Sequence, residues 1–182
     1  MSVATPDMPK DLPKGSPFWQ FSLQLYRRPG VADACLMLQE ESGIDVNVML
    51  FLLWLASQRR QLGDAEIASL DARVAGWRDV AVVPLRSVRR ALKETPPALL
   101  PAPSVEAFRN RVKAVELEAE RLQQEAMYAL AGSGVNGSPA DSVAVAARAN
   151  MAAYERVQRQ PFSTAAVEAI LGGFDALGPF PG

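Results

Sequence analysis

The sequence has 182 residues, of which 49% are hydrophobic, and its 19 basic and 20 acidic residues leave a net charge of −1. This length and apolar content are typical of one folded domain with a smaller addition, and they argue against wholesale disorder. The balanced charge argues against a general nucleic-acid binder. The lack of histidine and the single cysteine, Cys35, exclude Ser-His and Cys-His nucleophile pairs and an intrachain disulfide.

The apolar stretches of the sequence indicate a cytoplasmic protein. Residues 1–17 contain no apolar region of the kind that a secretory signal needs. The most hydrophobic stretch, VNVMLFLLWLA (46–56), is much shorter than the ~20 residues of a membrane-spanning helix. It predicts instead a helix buried in the core of a soluble protein, with no membrane span. The lone cysteine fits a reducing compartment.

A flexible tail at 1–15 is expected to precede a helical domain at 16–94. Ser16 and Pro17 predict the start of its first helix, because serine caps a helix N-terminus and proline is tolerated at the first helical position. Pro29 is expected to end this helix, since proline cannot continue it.

Four more helices of this domain are predicted from caps and apolar stripes. The apolar residues in 31–41 recur at i, i+3, i+4 and i+7, which is the pattern of one helical face. Asp45 predicts the cap of a third helix that continues to about Gln61, and Asp64 predicts the cap of the fourth. After a short apolar connection, Pro84 is expected to begin the fifth helix.

Four prolines in the segment TPPALLPAPS (95–104) exclude a helix and predict a linker at 95–103. Ser104 is expected to cap a long helix beyond it. The apolar residues of that helix alternate at spacings of three and four, which is a heptad seam. They are Val105, Phe108, Val112, Val115, Ala119, Leu122, Ala126 and Ala129.

The C-terminal part is predicted to be a helical hairpin at 104–171, followed by a loose tail at 172–182. Pro139 is expected to open an Ala-rich helix that keeps the rhythm of the long helix, and alanines would let the two approach closely. Ser163 predicts the cap of a last short helix. The seam closes either within this hairpin or, over residues 105–129, against a second chain in a homodimer.

The most informative charge pattern lies in residues 73–93, which contain six basic residues and one acidic residue. Four of the basic residues lie at i, i+3, i+4 and i+7 of the fifth helix and therefore share one face. They are Arg86, Arg89, Arg90 and Lys93, and with Arg78 they are candidate partner- or anion-binding residues. Such a face can bind phosphates, an acidic protein surface or anionic lipid. The alternative is pairing with acids such as Glu40, Glu41 or the glutamates of the long helix.

Trp19 is a further candidate because it lies beside the apolar stripe of the first helix, which includes Phe18 and Phe21. If that stripe is narrow, the indole of Trp19 is exposed and could anchor a protein partner. The alternative is that Trp19 belongs to the core, as most aromatic residues at helical spacing do.

Two segments resemble a known family. FWQFSLQLYRRPGVADACLMLQEESGIDVNVMLFLLWLA (18–56) and VVPLRSVRRALK (82–93), the latter preceded by Trp77 and Arg78, are similar to a proteobacterial family of short helical proteins of unknown function. The likeness covers about residues 16–130. It implies a bacterial, cytoplasmic, helical protein, and it brings no activity, cofactor or catalytic residue.

The sequence thus predicts an all-α bundle of about eight helices. With no catalytic, metal-binding or cofactor-binding residues identified, we expect a non-enzymatic interaction or regulatory module. Its basic face, its heptad helix or both would bind a macromolecular partner, most simply another protein. Nucleic-acid or ribonucleoprotein association through the Arg-rich helix is the alternative, ahead of an enzyme that works without histidine.

Overall fold

Helices account for most of residues 15–178, the part of the chain that the computed structural model describes. In this part, eight α-helices, one π-helical turn and two strands of two residues each confirm the all-α fold class. The α-helices are α1 (Pro17–Tyr26), α2 (Val31–Glu41), α3 (Val46–Ser57), α4 (Asp64–Trp77), α5 (Val83–Glu94), α6 (Ala102–Gly132), α7 (Val143–Gln158) and α8 (Thr164–Asp175). The π-helix is Arg78–Val82, and the strands are β1 (Arg60–Gln61) and β2 (Ser138–Pro139). The predicted tail at 1–15 lies outside the described residues except for its last residue.

Helix α3 lies at the centre of the fold because it is apolar on every side. All residues from Asn47 to Ala56 are buried, and a helix without a polar face must be covered all round. Helices α1, α2, α6 and α7 pack against it. The predicted buried helix is confirmed, but it ends at Ser57 rather than Gln61. Arg59 adopts a left-handed φ of 58°, which turns the chain into β1.

Three of the predicted helix starts are confirmed by side-chain caps. The Ser16 hydroxyl, the Asp45 carboxylate and the Ser163 hydroxyl each accept a backbone N–H from the first turn of α1, α3 and α8, respectively. These bonds satisfy donors that the helix itself leaves unpaired. Helix α2 also has the bounds that its apolar stripe predicts.

The starts of α6 and α7 differ from the prediction. Helix α6 begins at Ala102 rather than after Ser104, so the linker ends two residues earlier than predicted. Helix α7 begins at Val143, capped by the Ser142 hydroxyl. Pro139, the predicted start, lies instead in β2. Local composition identified both helices but not their first residues: α6 begins without a side-chain cap, and the pairing of β2 with β1 keeps Pro139 out of α7.

The last helix is longer than predicted and continues to Asp175 rather than Leu171. Phe174 is buried, with its ring centroid 6.1 Å from that of Phe21 in an edge-to-face arrangement. The predicted loose tail at 172–182 therefore begins as helix, and its Phe174 belongs to the core. Two glycines lower the helix propensity of this segment, but the burial of an aromatic ring outweighs that cost.

The predicted hairpin of α6 and α7 is wrong, because the two helices do not pair with each other. Helix α7 packs mainly on α3 and α4, whereas α6 packs mainly on α5 and α1. The alanines of α7 do permit close approach, since Ala146, Ala147 and Ala153 are buried, but the helix they approach is α3. Helix α3 requires this cover on the side that α6 leaves open.

Helix α6 buries a different face from the one that its heptads predict. Val105, Val112 and Ala119 are buried, but Phe108, Val115 and Leu122 are exposed. The buried stripe is rotated so that it includes polar residues, which an apolar pattern cannot reveal. These residues are Glu116, Gln123 and Gln124.

Helices α4 and α5 are joined by the π-helix instead of the predicted break before Pro84. The N–H of Val83 donates to the carbonyl of Arg78, five residues back. A π-helical turn changes the register of the backbone hydrogen bonds, which accommodates a proline that has no N–H to give. Such turns are rare and occur often at functional sites.

The two strands form a short antiparallel pair that no alternating pattern predicts. Arg60 pairs with Pro139, and Gln61 pairs with Ser138. Gly137 has a left-handed φ of 59°, and a Cβ at this position would collide with the Gln61 carbonyl. Only glycine fits where the loop after α6 approaches β1 so closely.

Candidate functional site

The predicted basic face of α5 lies largely against α6 rather than free in solution. Arg86 Nη2 is 2.8 Å from Glu120 Oε1, and Arg86 Nε is 3.3 Å from Glu116 Oε1. The Arg89 guanidinium binds both carboxylate oxygens of Glu116, with Nη2 3.1 Å from Oε1. All these side chains except that of Glu116, which is buried, are partly exposed.

The rest of the face is divided between one surface ion pair and one unpaired side chain. Arg90 Nη2 is 2.8 Å from Glu40 Oε1 of α2, and both groups are exposed. Exposed pairs of this kind contribute at most about 1 kcal/mol. Lys93 is exposed and has no ion pair within residues 15–178. The structure therefore favours the second interpretation of the sequence, in which acids of α2 and α6 neutralise the face.

The ion pairs matter because α5 has no fully buried side chain to anchor it. Helix α5, all of which the structure describes, packs along α6 over much of its length, but none of its residues is fully buried. A buried carboxylate such as Glu116 needs its cationic partners, since an uncompensated charge in that position is costly. Glu116 and its two arginines therefore fix α5 on α6.

Replacement of Glu116 by glutamine should loosen α5 from α6. The amide keeps the shape of the side chain but removes the charge that Arg86 and Arg89 share. We expect a loss of about 1–2 kcal/mol in the free energy of unfolding, because both arginines remain partly solvated. Hydrogen exchange of the α5 amides should quicken as well. Glu118→Gln, which removes an exposed pair with Arg121 on the same helix, is the control. Equal losses in the two variants would contradict the assigned role of Glu116.

Arg78, the first residue of the π-helix, joins three acidic side chains. Its Nη1 is 2.6 Å from Asp71 Oδ1 and 3.2 Å from Asp45 Oδ2, and its Nε is 3.5 Å from Asp79 Oδ1. Burial lowers the pKa of Arg78, but hydrogen bonds and charge attraction from Asp71 and Asp45 more than offset this and raise the pKa. Arg78 is thus a fixed cation that links α3 to α4 rather than a free anion-binding group.

Asp45 is the central acceptor of this cluster. Besides capping α3, its carboxylate accepts a hydrogen bond from Gln123 Nε2 at 2.6 Å. Its backbone N–H donates to the Tyr154 hydroxyl at 2.9 Å. One helix position thus connects α3 with α6 and α7. A second side-chain hydrogen bond lies beside it, in which Gln124 Nε2 donates to Asn47 Oδ1 at 2.8 Å. The sequence predicts the cap at Asp45 but not these long-range bonds.

A cleft of ≈ 330 Å³ opens beside the π-helix. Its walls include Asp45, Asp71, Arg78, Asp79 and Arg86. The Arg78 and Arg86 guanidiniums and their acidic partners already neutralise one another, so the lining offers polar contacts rather than a strong field of one sign. Within the described chain, no group of three or more Asp, Glu, Cys or His side chains is placed to hold a metal ion.

Glu120, whose partner Arg86 lines the cleft, has a raised pKa. The partial burial of Glu120 raises the pKa of its carboxyl above the usual glutamate value, the charge of Arg86 lowers this pKa, and the charge of Glu116 raises it. A perturbed carboxyl is common at catalytic sites but also in structural ion-pair networks. Here Glu120 binds Arg86 of the α5–α6 contact, which is the structural case.

Trp19 is not the surface anchor that the sequence allows, because it is only 2% exposed. Helix α1 packs against both α3 and α6, so its apolar stripe is wide and includes both Phe18 and Trp19. Trp77, which lies on the apolar face of α4 in the sequence, is exposed instead. Its indole N–H donates to the Ala119 carbonyl of α6 at 2.9 Å, which holds the ring at the surface of that helix.

Three exposed apolar side chains lie along α6, and we call them the exposed strip. They are Phe108, Val115 and Leu122, which are 47%, 54% and 43% exposed. Val115 lies four residues before Ala119, and Leu122 lies three residues after it. Both are therefore on the same side of α6 as Ala119, whose carbonyl accepts the Trp77 indole N–H. The Arg111 guanidinium lies 5.5 Å from the centre of the Phe108 ring, within the range of a cation–π interaction.

No helix in the described residues is long and apolar enough to cross a membrane.

Comparison with known proteins gives a family but no activity. No curated protein and no solved structure matches the chain. The model of the family DUF2390, described as a protein of unknown function, matches residues 17–127, which is well over half of the chain and nearly the range of the resemblance. The chain therefore belongs to the DUF2390 family of proteins of unknown function.

Proposed function

We propose that this protein is a non-enzymatic interaction module that binds another protein through one extended feature, residues 83–115. This feature, here called the arm, comprises α5, the proline-rich loop and the first half of α6. The arm contributes no residue to the main hydrophobic core. The ion pairs of Arg86 and Arg89 with Glu116 and Glu120 join α5 to α6.

The observation that supports this proposal is the exposure of large apolar side chains along the arm. Leu99 and Leu100 in the loop are 93% and 54% exposed. Phe108 and Val115 of the exposed strip lie on the same arm, and Val88 of α5 is exposed as well. Isolated exposed apolar residues need no explanation, but a concentration of them on one feature is typical of protein-binding surfaces.

The ionic arrangement supports a protein partner over nucleic acid. Phosphate groups would have to displace Glu116 and Glu120 from Arg86 and Arg89, at the cost of leaving those carboxylates unpaired. Lys93 alone of the predicted basic face is unpaired within residues 15–178. A single lysine gives little of the charge neutralisation on which nucleic-acid binding depends.

The test is affinity capture of partners from the source cells with a variant of the loop. Leu99→Ser combined with Leu100→Ser should reduce recovery of a protein partner about tenfold or more, because apolar anchors dominate interface energies. Leu36→Ser combined with Met37→Ser removes two exposed apolar side chains of α2 and is the matched control, expected to leave recovery unchanged. Nuclease treatment should not alter the result.

Two outcomes would contradict the proposal. Equal recovery with the loop variant and the control would show that the arm does not bind the partner. Loss of all partners on nuclease treatment, together with bound nucleic acid in the untreated sample, would favour the nucleic-acid alternative.

A further inference from the structure

We infer that the exposed strip of α6 binds a second copy of this chain, with the two α6 helices antiparallel. The inference rests on the proposed interaction role of the arm and names the partner for one of its surfaces. It leaves Leu99 and Leu100 in the loop free for a different protein. Its basis is the order of apolar and charged residues along α6.

The strip is symmetric about its middle residue. Phe108, Val115 and Leu122 are separated by seven residues each, so they lie on one side of the helix at nearly equal intervals. Placed antiparallel with a two-fold axis at Val115, two copies bring Val115 against its own equivalent. Phe108 of each copy then meets Leu122 of the other. A surface that is complementary to itself in this way is what a two-fold dimer requires.

The charges beside the strip favour the antiparallel arrangement. Arg111 lies four residues before Val115 and Glu118 three residues after it, so both lie on the same edge of the strip. In the antiparallel dimer, Arg111 of each copy meets Glu118 of the other, and two attractive pairs form. A parallel dimer would place Arg111 against Arg111 and Glu118 against Glu118, which is repulsive.

Arg111 and Glu118 both remain able to form an ion pair with a second chain. Arg111 stacks on Phe108 without a carboxylate partner among residues 15–178. Glu118 binds Arg121 of the next turn at 2.7 Å but is still 49% exposed, so it can accept a second guanidinium. Trp77, hydrogen-bonded to Ala119 beside the strip, widens the apolar contact on the opposite edge.

The contact would be small. The strip extends over about 21 Å of helix, at 1.5 Å per residue. Interfaces of this size lie at the low end of the range for specific complexes. We therefore expect a dimer that dissociates on dilution, with a mass that rises from monomer to dimer as the protein concentration increases.

A cysteine at the axis gives the sharpest test. Val115→Cys places two thiols against each other in the inferred dimer, so oxidation should convert most of the protein to a disulfide-linked dimer. Ala114→Cys, exposed but turned about 100° around the helix, is the matched control and should cross-link at least about fivefold more slowly. The native thiol does not interfere, because Cys35 is buried and its burial raises its pKa to about 12.

Charge reversal tests the direction of the helices. Arg111→Glu and Glu118→Arg should each weaken dimerisation roughly tenfold, since each turns two attractive pairs into repulsive ones. The double variant restores both pairs and should regain the affinity of the natural chain. Sedimentation over a range of concentrations measures all three, and circular dichroism checks that each remains folded.

A monomeric mass at every concentration, or equal cross-linking at positions 114 and 115, would overturn the inferred dimer. A double charge variant weaker than either single one would overturn the antiparallel arrangement. These results are separable from the test of the proposed function. If the loop variant loses its protein partner and no dimer forms, the proposed function is supported and the inferred dimer is wrong. If the loop variant keeps its partner and a dimer does form, only the dimer is supported.

Discussion

Replacement of Asp45 by alanine should lower the free energy of unfolding by about 3 kcal/mol. The change removes the N-cap of α3, which is worth about 1 kcal/mol. It also leaves the buried amide of Gln123 without an acceptor and takes one of the carboxylates from Arg78, and each such loss costs roughly 1 kcal/mol or more. Urea unfolding followed by circular dichroism measures the effect.

Two further variants separate the contributions at this position. Asp45→Asn keeps an oxygen for the cap but loses the charge, so its loss should be smaller than that of the alanine variant. Asp79→Ala removes the third carboxylate near Arg78, which is mostly exposed, and should cost less than about 0.5 kcal/mol. If Asp45→Ala were as mild as Asp79→Ala, the central role of Asp45 would be wrong.

Replacement of Asn150 by alanine should also cost about 3 kcal/mol. Asn150 is fully buried in α7. Its Oδ1 accepts the N–H of Leu62 at 2.8 Å, and its Nδ2 donates to the carbonyls of Leu52 and Arg60 at 2.8 and 3.2 Å. Alanine would leave the buried Leu62 N–H without an acceptor and would remove one donor from the Leu52 and Arg60 carbonyls. Each buried group left unsatisfied costs roughly 1–3 kcal/mol unless water replaces the bond.

The position of the loss can be measured as well as its size. Hydrogen exchange at the Leu62 amide should quicken strongly in the Asn150→Ala variant, because that N–H loses its partner. Asn110→Ala changes an exposed asparagine of α6 and should alter stability by less than about 0.5 kcal/mol. Unchanged Leu62 exchange in Asn150→Ala would contradict the assigned contacts.

The sequence by itself determined which segments are helical and where several of them begin. Ser16, Asp45 and Ser163 cap their helices through atoms only two or three residues away. Because such signals are local, they can be read without knowledge of the fold. The apolar run at 46–56 likewise determined that α3 is buried, since no arrangement could leave so apolar a helix exposed.

Helix α6 shows where local reading fails. Its apolar residues predict one heptad seam, but the chain buries only part of that seam, together with Glu116, Gln123 and Gln124. The Glu116 carboxylate and the amide N–H groups of Gln123 and Gln124 are acceptable in the interior because Arg89, Asp45 and Asn47, respectively, bind them there. The rejected apolar positions, among them Val115, became the exposed strip.

The tertiary structure alone decided which residues form the candidate site and which do not. Asp45 and Tyr154 are 109 positions apart in the sequence, and Arg86 is 30 positions from Glu116. Contacts over such separations depend on how the helices pack around α3, which no window of neighbouring residues encodes. For the same reason, the sequence could locate the basic face of α5 and name its alternative partners. Only packing of α5 against α6 decided that most of its charge is neutralised within the chain.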